Sequence, residues 1–430
     1  MSIVRPLPAI RYRTDEGHVD LSTRLAPPYD VLDAEGKRRL LERDPDNFVK
    51  IDLPVVPAKA AGPPEVYAAC RDQLQRWLRD GVMVRDTQPA FYVYHQRFTH
   101  GGREYTRKKF FARLRLEPFG SGSVFPHERT FGGPKEDRLA LTQATRANLS
   151  PIFGLYEDAR NEVSSLLEAG LPERPLARGS MDGVESLLWS VTDARRVEAV
   201  AELLRPRSIY IADGHHRYGT GLMYRDWLVK TSGPLPDEHP ANYVLAVLCA
   251  MEDPGLLILP THRVLPGVRI PPAEFTTAGQ IEAAPLSAPR DPESVVAALA
   301  GYGPQAIAWF DGTSGEYCVL RPRAADLLDP IATDHSPAWR RLALAFLHAF
   351  VLDCIVRPKV LRGDEATIHY IKTASEAVDE ARQTAGAAFL LQPTTMEELR
   401  AVCSAGDLMP QKSTFFWPKL ASGLVINPLE

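Results

Sequence analysis

The spacing of apolar residues along the chain predicts several amphipathic helices. Apolar side chains recur every three or four positions through residues 65–79, as expected when one face of an α-helix is buried. The residues that form this face are Val66, Cys70, Leu74 and Trp77. Similar spacing predicts helices at residues 134–147, 157–169, 218–229, 337–355, 374–384 and 395–404.

Alternation of apolar and polar positions predicts β-strands, and two pairs of these strands predict β-hairpins. Residues 90–98 alternate, and a His-Gly-Gly-Arg turn at 100–103 leads into residues 104–116. In the same way, residues 306–310 and 317–320 flank an Asp-Gly-Thr-Ser-Gly turn. Short apolar runs predict further strands at residues 8–12, 48–53, 148–156, 209–212, 241–251, 256–259, 368–371 and 388–391.

The order of these elements favours an α+β fold with mixed sheets and flanking helices. The regular alternation of strand and helix that builds a wholly parallel sheet is absent. The proline-containing stretch at residues 171–176 is the first candidate domain boundary. We therefore expect one α+β region at residues 1–175 and a second at residues 176–430. Both regions carry polar motifs, described below, and these motifs are compatible with a single shared cleft.

The composition is that of an ordinary globular protein and narrows the choice of partners. The 430 residues carry a formal net charge of −4, with 45% hydrophobic and 24% charged residues, so there is no net basic charge to indicate a nucleic-acid-binding protein. No stretch approaches the roughly 18 apolar residues of a membrane span, and the N-terminus lacks the apolar segment of a signal peptide. We expect a cytoplasmic protein that binds neither membranes nor nucleic acid. Its oligomeric state stays open.

Several common kinds of site are unsupported by the sequence. The cysteines are few and far apart, at Cys70, Cys249, Cys318, Cys354 and Cys403. Their odd number and the lack of a Cys-x-x-Cys pair indicate reduced thiols rather than a disulfide framework or a zinc site. Neither a Gly-x-Ser-x-Gly motif nor a Gly-x-Gly-x-x-Gly motif after a strand occurs, so an α/β-hydrolase or a dinucleotide-binding enzyme is not indicated.

The richest set of polar residues lies between the strand predicted at residues 209–212 and the helix that follows. It consists of Asp213, Gly214, His215, His216 and Arg217. A strand, a glycine turn and a helix N-terminus bring N–H groups and side-chain donors to one place, which favours an anion such as phosphate. Arg217 suits bidentate contact with phosphate, and either histidine can donate to an anion or bind a metal. Asp213 can hold Mg²⁺, orient a histidine or accept a proton. In the structural alternative, Asp213 only caps the helix and the histidines bond to neighbouring groups.

A second cluster, Pro-His-Glu-Arg-Thr at residues 126–130, lies in a long predicted loop. Its His127 and Glu128 suit an acid–base pair or metal ligands, because functional residues concentrate in loops that a rigid scaffold holds. Glu136 and Asp137 open the helix that follows, where carboxylates complement the helix dipole.

Two further groups stand near apolar runs. In the motif at residues 412–419, a Lys-Ser-Thr sequence is suggestive of phosphate binding, although the glycines of a Walker A loop are missing. Lys412 is therefore a candidate contact to a phosphorylated cofactor. The three aromatic residues at 415–417 are more typical of a core or an interface than of base stacking. Thr261, His262 and Arg263 repeat the pattern of a strand followed by His-Arg, which fits the same cavity or the surface equally well.

Several ordered motifs resemble a known family. They are Ala-Pro-Pro-Tyr-Asp (26–30), Asn-Phe-Val-Lys-Ile-Asp-Leu-Pro (47–54), Pro-His-Glu-Arg-Thr (126–130), Glu-Asp-Arg-Leu (136–139), Asn-Leu-Ser-Pro-Ile-Phe (148–153), Ala-Asp-Gly-His-His-Arg-Tyr (212–218) and Met-Pro-Gln-Lys-Ser-Thr-Phe-Phe-Trp-Pro-Lys (409–419). The series resembles the prokaryotic family called domain of unknown function 1015 (DUF1015), and it extends over nearly the whole chain.

The central motif alone is also similar to the phosphate-binding segment of the ParB/sulfiredoxin-like superfamily, which includes free-serine kinases. The similarity covers the five residues from Asp213 to Arg217 and their predicted setting. It implies a ParB/sulfiredoxin-like central segment in which Gly214, His215 and Arg217 hold nucleotide phosphates. It also implies that Asp213 lies near a metal or the substrate.

The leading hypothesis is an enzyme that binds a nucleotide or phosphate and transfers a phosphoryl group to a small molecule, such as a serine-like free amino acid. Phosphoryl transfer depends on positioning and charge neutralisation, which Arg217 and His216 would supply. Asp213 would hold Mg²⁺ that accompanies ATP or ADP. Glu128 or His127 would take the proton of the accepting hydroxyl group.

Two other functions stay open. One is a metal-dependent phosphoester hydrolase whose ligands would be Asp213, His127, His215 and His216. The other is a nucleotide-sensing regulator without turnover, against which the lack of a helix-turn-helix or a basic segment speaks mildly.

Overall fold

The computed structural model describes residues 3–14, 19–58, 60–120, 122–129, 133–276, 279–286, 291–365 and 367–430. Thr130, the last residue of the 126–130 motif, lies outside the described residues. The chain forms two compact units, Met1–Leu257 with Pro418–Glu430, and Ile258–Trp417. These units differ from the regions expected at 1–175 and 176–430, because strands from both sides of that boundary hydrogen-bond within one sheet.

The strands and helices of the described residues are numbered along the chain. The strands are β1 (Val4–Arg5), β2 (Ile10–Tyr12), β3 (Val19–Asp20), β4 (Met83–Arg85), β5 (Phe91–His100), β6 (Arg103–Arg115), β7 (Val124–Phe125), β8 (Ala147–Asn148), β9 (Ile152–Tyr156), β10 (Ala177–Met181), β11 (Val184–Val191), β12 (Ile209–Asp213), β13 (Tyr243–Ala250), β14 (Leu257–Leu259), β15 (His262–Leu265), β16 (Ile281–Leu286), β17 (Ile307–Asp311), β18 (Tyr317–Pro322), β19 (His369–Ile371), β20 (Ala387–Leu390), β21 (Phe415–Trp417) and β22 (Asn427–Pro428). The α-helices are α1 (Ala34–Arg43), α2 (Val49–Asp52), α3 (Pro64–Arg79), α4 (Gly133–Thr145), α5 (Glu162–Glu168), α6 (Ala194–Leu204), α7 (His215–Ser232), α8 (Ala273–Thr276), α9 (Pro292–Ala298), α10 (Pro337–Arg340), α11 (Ala343–Ala345), α12 (Ala374–Gln383) and α13 (Met396–Ser404).

The first unit is built on a mixed sheet that, within the described residues, has ten strands. Their order is β3-β10-β11-β5-β6-β13-β9-β12-β7, and β1 also pairs with β6. The pairs β3–β10, β9–β13 and β7–β12 are parallel, whereas the other pairs are antiparallel. This mixed sheet with flanking helices confirms the predicted α+β class.

One face of this sheet packs against α5, α6 and α7. Side chains of the central strands, such as Phe110 and Leu248, form a continuous core with Leu167, Leu204 and Tyr218 from the three helices. These helices therefore cover the sheet where β9 and β12 lie side by side. The site described below is built at the end of β12, where α7 begins.

The opposite face carries buried polar side chains and holds the C-terminal segment of the chain. The Gln96 amide donates to the Lys419 carbonyl at 3.0 Å, and Arg107 donates to the Pro418 carbonyl and to Gln96. The Tyr94 hydroxyl accepts a bond from the Ala421 amide at 3.4 Å. These side chains fix a segment that lies more than 300 residues from them in sequence.

The second unit contains a sheet with the order β16-β18-β17-β20-β15-β19, in which neighbouring strands run antiparallel. Its core joins α9 and α12 to the sheet through Val295, Val378, Phe310 and Leu390. A π-helix spans Phe346–Val360 and overlaps the second half of the helical stretch predicted at residues 337–355.

Most predicted elements are present, including both β-hairpins and the helix expected at residues 65–79. The strand predicted at residues 48–53 is wrong, because Val49–Asp52 is a short helix. The side chain of Asn47 causes the difference: its oxygen accepts from the Val49 amide at 2.9 Å, and its nitrogen donates to the carbonyls of Thr23 and Leu25. All five cysteines are free thiols. None of the helices in the described residues combines the length and the apolar character needed to cross a membrane.

Candidate functional site

The central motif forms a strand, a turn and a helix in the first unit. β12 ends at Asp213, Gly214 has φ 88°, and α7 begins at His215. The Tyr218 amide donates to the Gly214 carbonyl at 2.9 Å and closes the first helical turn. Amides earlier in this turn have no acceptor within the helix, so the positive end of the helix dipole lies at the motif.

Gly214 is needed here both for its backbone conformation and for space. A Cβ atom at this position would lie 3.1 Å from the Cζ atom of Arg217 and 3.1 Å from the Cα atom of Ile152. We expect Gly214→Ala to lower the free energy of unfolding by about 1–3 kcal/mol, because a left-handed conformation is strained for alanine and its neighbours must shift.

The control for this prediction is Gly183→Ala. Gly183 has φ 75°, but a Cβ atom there would meet no atom within 4 Å. The control variant therefore isolates backbone strain from crowding, and urea unfolding of both variants gives the comparison. Equal losses of stability would show that crowding at Gly214 has no effect.

The carboxylate of Asp213 is held by one cationic side chain and one backbone amide. The Lys419 ammonium lies 2.7 Å from Oδ2 of Asp213, and the Gly214 amide donates to Oδ1 at 2.7 Å. Burial acts to raise the pKa of Asp213, but Lys419 and Arg217 outweigh it and hold this pKa below the ordinary carboxyl range. Asp213 is therefore an ionised carboxylate at neutral pH.

Lys419 is a site residue that sequence reasoning missed. It lies in the 412–419 motif, but the Lys-Ser-Thr sequence indicated Lys412 as the contact to a phosphorylated cofactor. Lys419 and Asp213 are 206 residues apart, and no local pattern marks such a pairing. Buried hydrogen bonds from Gln96 and Arg107 to the carbonyls of Lys419 and Pro418 help to bring the ammonium group to this carboxylate.

Arg217 lies beside Asp213 and is nearly buried, with its side chain 11% exposed. Its Nη1 donates to the Pro151 carbonyl, and its Nη2 is 3.8 Å from Oδ1 of Asp213. Its Nε and Nη2 donate to no residue that the structure describes. The guanidinium group is thus anchored at one nitrogen and keeps N–H donors for a ligand.

His127 and His215 are brought together and are both buried. The His127 amide donates to Nε2 of His215 at 3.2 Å, and Nδ1 of His127 donates to the Ile211 carbonyl at 2.6 Å. Their rings meet edge to face with centroids 4.6 Å apart. Burial lowers the pKa of His127, and burial together with the neighbouring His127 ring lowers the pKa of His215 well below its ordinary value. Both rings are therefore neutral at pH 7, and these bonds agree with the structural role weighed for His215.

Glu128 and His216 are more accessible than the two buried rings. Oε1 of Glu128 lies 4.0 Å from Nε2 of His127, and the Glu128 side chain is 25% exposed. His216 is half-buried, and its carbonyl accepts a bond from the Thr220 hydroxyl at 2.9 Å. The structure thus places His127 beside His215 of the central motif.

Lys412 belongs to the second unit. It is an exposed turn residue with φ 55°, and its carbonyl accepts a bond from Nη2 of Arg263 at 3.1 Å. Its assignment as a cofactor contact stays a prediction.

A buried ionic network in the first unit was also missed. Arg138 donates to Asp137 through Nε at 2.8 Å and through Nη2 at 2.6 Å, and Asp137 also accepts from the Tyr67 hydroxyl at 2.7 Å. On its other side, Nη1 of Arg138 lies 3.6 Å from Asp52, to which Ser150 donates at 2.6 Å. Asp137 is fully buried, so its role includes the bonds of this network as well as an interaction with the helix dipole. Glu136 is exposed in the first turn of the helix, where it can complement the dipole.

His262, in β15 of the second unit, gives a prediction about pH. It is 1% exposed, its Nδ1 accepts from the Leu391 amide at 3.1 Å, and burial lowers its pKa to about 4. Below the unfolded-state pKa of about 6.5, His262 binds a proton in the unfolded chain but not in the folded chain. The free energy of unfolding therefore falls as pH drops from 6.5 to 4. We expect His262→Gln, which keeps an acceptor, to weaken this fall by up to about 1 kcal/mol per pH unit.

Urea unfolding at pH 7.5, 6.0 and 5.0 measures the effect of His262. The control is His100→Gln, because His100 is exposed at the end of β5. Parallel pH profiles for the His262→Gln variant and the unmodified protein would contradict the prediction.

The described residues form no metal cluster from protein side chains alone. Within the described ranges, no group of three or more His, Cys, Asp or Glu side chains is arranged to hold a metal ion. Among the candidate residues, the carboxylate of Asp213 is bonded to Lys419 and Gly214, and His215 Nε2 is bonded to the His127 amide.

Comparison with solved structures gives remote likenesses. A mutant free serine kinase in complex with ADP shares 12% sequence identity, covering 74% of this chain and 92% of that chain, with a TM-score of 0.35. A free serine kinase in complex with AMP shares 13% identity over 74% of this chain and 92% of that one, with a TM-score of 0.33. A conserved hypothetical protein from Pyrococcus furiosus shares 14% identity over 74% and 94%, with a TM-score of 0.33.

Comparison of sequences identifies the family. No curated protein matches the chain. The family model described as protein of unknown function (DUF1015) matches residues 4–300, which is more than half of the 430 residues and includes the whole Asp213–Arg217 motif. This confirms the resemblance seen in the ordered motifs, and the chain belongs to the DUF1015 family.

Proposed function

We propose that the first unit binds the phosphates of a nucleotide and transfers a phosphoryl group to a small molecule. The observation that carries the proposal is the convergence of two cations, Arg217 and Lys419, with the positive end of α7 around a single carboxylate, Asp213. With neutral histidines, this cluster has one net positive charge from its side chains. Such a cluster favours an anion, and its planar guanidinium group suits phosphate oxygens.

Gly214 supports the phosphate role of the turn. The missing side chain leaves the first amides of α7 and the Arg217 guanidinium group close together, since a Cβ atom would be 3.1 Å from Arg217 Nε. Backbone N–H groups and a guanidinium fork at a helix N-terminus are the donors that stabilise phosphoryl oxygens without reorganisation.

Mg²⁺ fits this site only as a companion of the nucleotide. Mg²⁺ is commonly held by one or two carboxylates together with substrate phosphates, and Asp213 supplies one carboxylate. When bound, the ion would neutralise charge on the phosphates. Lys419, which lies 2.7 Å from Asp213, orients the carboxylate and adds a second positive charge to the site.

A hydroxyl group of the accepting molecule must lose a proton, and two residues of the 126–130 loop can take it. Nδ1 of His127 is committed to the Ile211 carbonyl, so the lone pair of the neutral ring is on Nε2, 4.0 Å from Glu128. Glu128 is the more accessible of the two, and we assign it the role of the base. We propose a serine-like amino acid as the accepting molecule.

No observation favours a metal-dependent hydrolase. That function would use Asp213, His127, His215 and His216 as ligands, whereas the lone pair on Nε2 of His215 already accepts from the His127 amide. A nucleotide-sensing regulator would share the proposed phosphate site and differ only in lacking turnover.

A thermal-shift screen tests the proposed phosphate site. The full chain is melted with ATP, ADP, CTP, pyrophosphate or phosphoserine, each with and without Mg²⁺. A ligand at 100 times its Kd adds about 2.7 kcal/mol of stability, which is readily seen as a rise in Tm. We expect a nucleotide to raise Tm and Mg²⁺ to increase the rise. The absence of a shift with every phosphate ligand would overturn the proposal.

A further inference from the structure

Arg217 also lines a small polar cavity in the first unit. Its volume is about 40 Å³, and α4, α7 and the segment before β9 contribute to its wall. Its polar lining includes Tyr29, Asp52, Arg138, Ser150 and Arg217. Because one water needs roughly 10–15 Å³ measured in this way, the cavity holds about three groups of the size of water.

Two of the groups that line the cavity keep unused N–H or O–H donors. Tyr29 is 6% exposed, and its hydroxyl makes no hydrogen bond with any residue of the described ranges. Arg217 donates from Nη1 to Pro151 and has further donors on Nε and Nη2. A hydroxyl that faces the cavity without a protein acceptor favours a ligand that accepts its hydrogen bond.

The other polar groups are already engaged with one another. Asp52 accepts from Ser150 at 2.6 Å, and Arg138 donates to the Asp52 carbonyl and to Asp137. The guanidinium group of Arg138 also stacks 4.2 Å from the Tyr29 ring centroid. Asp52 and Ser150 therefore line the cavity with polar atoms that are bonded to other protein groups, whereas Tyr29 and Arg217 have donors for a ligand.

The charges around the cavity favour a singly charged anion over a doubly charged one. Arg138 is bonded to Asp137 and lies 3.6 Å from Asp52, so Arg217 is the lining cation with unused donors. Burial raises the pKa of Tyr29 to about 12, with Arg217 and Arg138 opposing the rise more strongly than Asp30 and Asp52 add to it. The Tyr29 hydroxyl is thus a neutral donor in a locally positive field. A doubly charged phosphate would meet Asp52, but a singly charged group would not be repelled as strongly.

We propose that this cavity binds a carboxylate group between the Tyr29 hydroxyl and the Arg217 guanidinium group. A carboxylate has three non-hydrogen atoms, carries one negative charge and matches the planar guanidinium fork. Arg217 then serves two ligands, the phosphate on the Asp213 side and the carboxylate on the Tyr29 side. The carboxylate belongs either to the accepting molecule or to a free ion. The first of these sources rests on the proposed function, whereas the second does not.

Titration calorimetry of the full chain with sodium acetate tests the proposal, with sodium chloride at equal ionic strength as reference. We expect saturable acetate binding by the unmodified protein and a Kd about tenfold higher for Tyr29→Phe, which loses one charge-assisted hydrogen bond but keeps the ring on Arg138. Tyr370→Phe is the matched control, because Tyr370 lies in the second unit and is 37% exposed. Absence of saturable acetate binding, or equal binding by Tyr29→Phe, would overturn the proposal whether or not the variant is fully stable.

Glycolate and Mg-ADP separate the two sources of the carboxylate. If the group belongs to the accepting molecule, glycolate, which adds a hydroxyl to acetate, binds more tightly in the presence of Mg-ADP. If a free carboxylate is the ligand, Mg-ADP leaves both affinities unchanged. Either result supports the cavity as a carboxylate site. Acetate binding by a protein that fails to bind ADP would refute the proposed function while leaving the carboxylate site intact.

Discussion

Replacing Arg217 with alanine is expected to weaken nucleotide binding by about 100-fold, because a phosphate would lose two charge-assisted hydrogen bonds of about 1.5 kcal/mol each. The side chain lies between Asp213 and the Pro151 carbonyl, and most of its donors are unused by the protein. The variant should also lower the turnover of the proposed phosphotransferase by at least this factor. Titration calorimetry with ADP and Mg²⁺ measures the loss directly.

Two further variants separate the roles of charge and shape at Arg217. Arg217→Lys keeps the positive charge but loses the planar fork, so it should bind ADP with an affinity between those of the unmodified protein and Arg217→Ala. Lys230→Ala removes an exposed cation from the last turn of the same helix and should leave the affinity for ADP unchanged. The account fails if Arg217→Ala binds ADP normally. Unfolding of Arg217→Ala at room temperature would instead favour a structural role for the turn.

Replacing Asp137 with alanine is expected to give the largest loss of stability, about 3–5 kcal/mol. Asp137 is fully buried, where it accepts from Tyr67 and from two nitrogens of Arg138. Its removal leaves a buried guanidinium group with Asp52 as its nearest carboxylate, 3.6 Å away, and leaves the Tyr67 hydroxyl without its acceptor. Urea unfolding measures the change in the free energy of unfolding.

Asp72→Ala is the matched control for this prediction. Asp72 also lies on a helix and pairs with an arginine, Arg71, but both side chains are exposed. Exposed pairs contribute little to stability, so this variant should unfold at the same urea concentration as the unmodified protein. Similar midpoints for Asp137→Ala and Asp72→Ala would show that the buried network adds no stability.

The local part of the candidate site could be predicted from the sequence. A buried strand, a glycine and a helix with apolar spacing are properties of consecutive residues, so the strand–turn–helix at Asp213–Arg217 followed from the pattern. Glycine at 214 indicated a turn, and the structure gives it the positive φ that glycine tolerates best. The same reasoning found both β-hairpins, because a turn and its two strands are contiguous.

The long-range part of the site could not be predicted in this way. Lys419 reaches Asp213 through a segment held by Gln96 and Arg107. Both side chains are polar, a property that does not indicate burial, yet both are buried. The expected boundary near residue 175 differs from the observed units for the same reason, since β11 pairs with β5 across it. Apolar periodicity reports which faces are buried but does not report which strands become neighbours.

Phosphate is expected to bind where β12 meets α7, and a crystal structure of the full chain with ADP and Mg²⁺ tests this expectation. The account predicts phosphate oxygens within about 3.2 Å of the Arg217 guanidinium group and of an amide in the first turn of α7. It also predicts that Lys419 and Asp213 face the same diphosphate. An ordered ADP molecule whose phosphates lie away from Gly214 and Arg217 would contradict the claim.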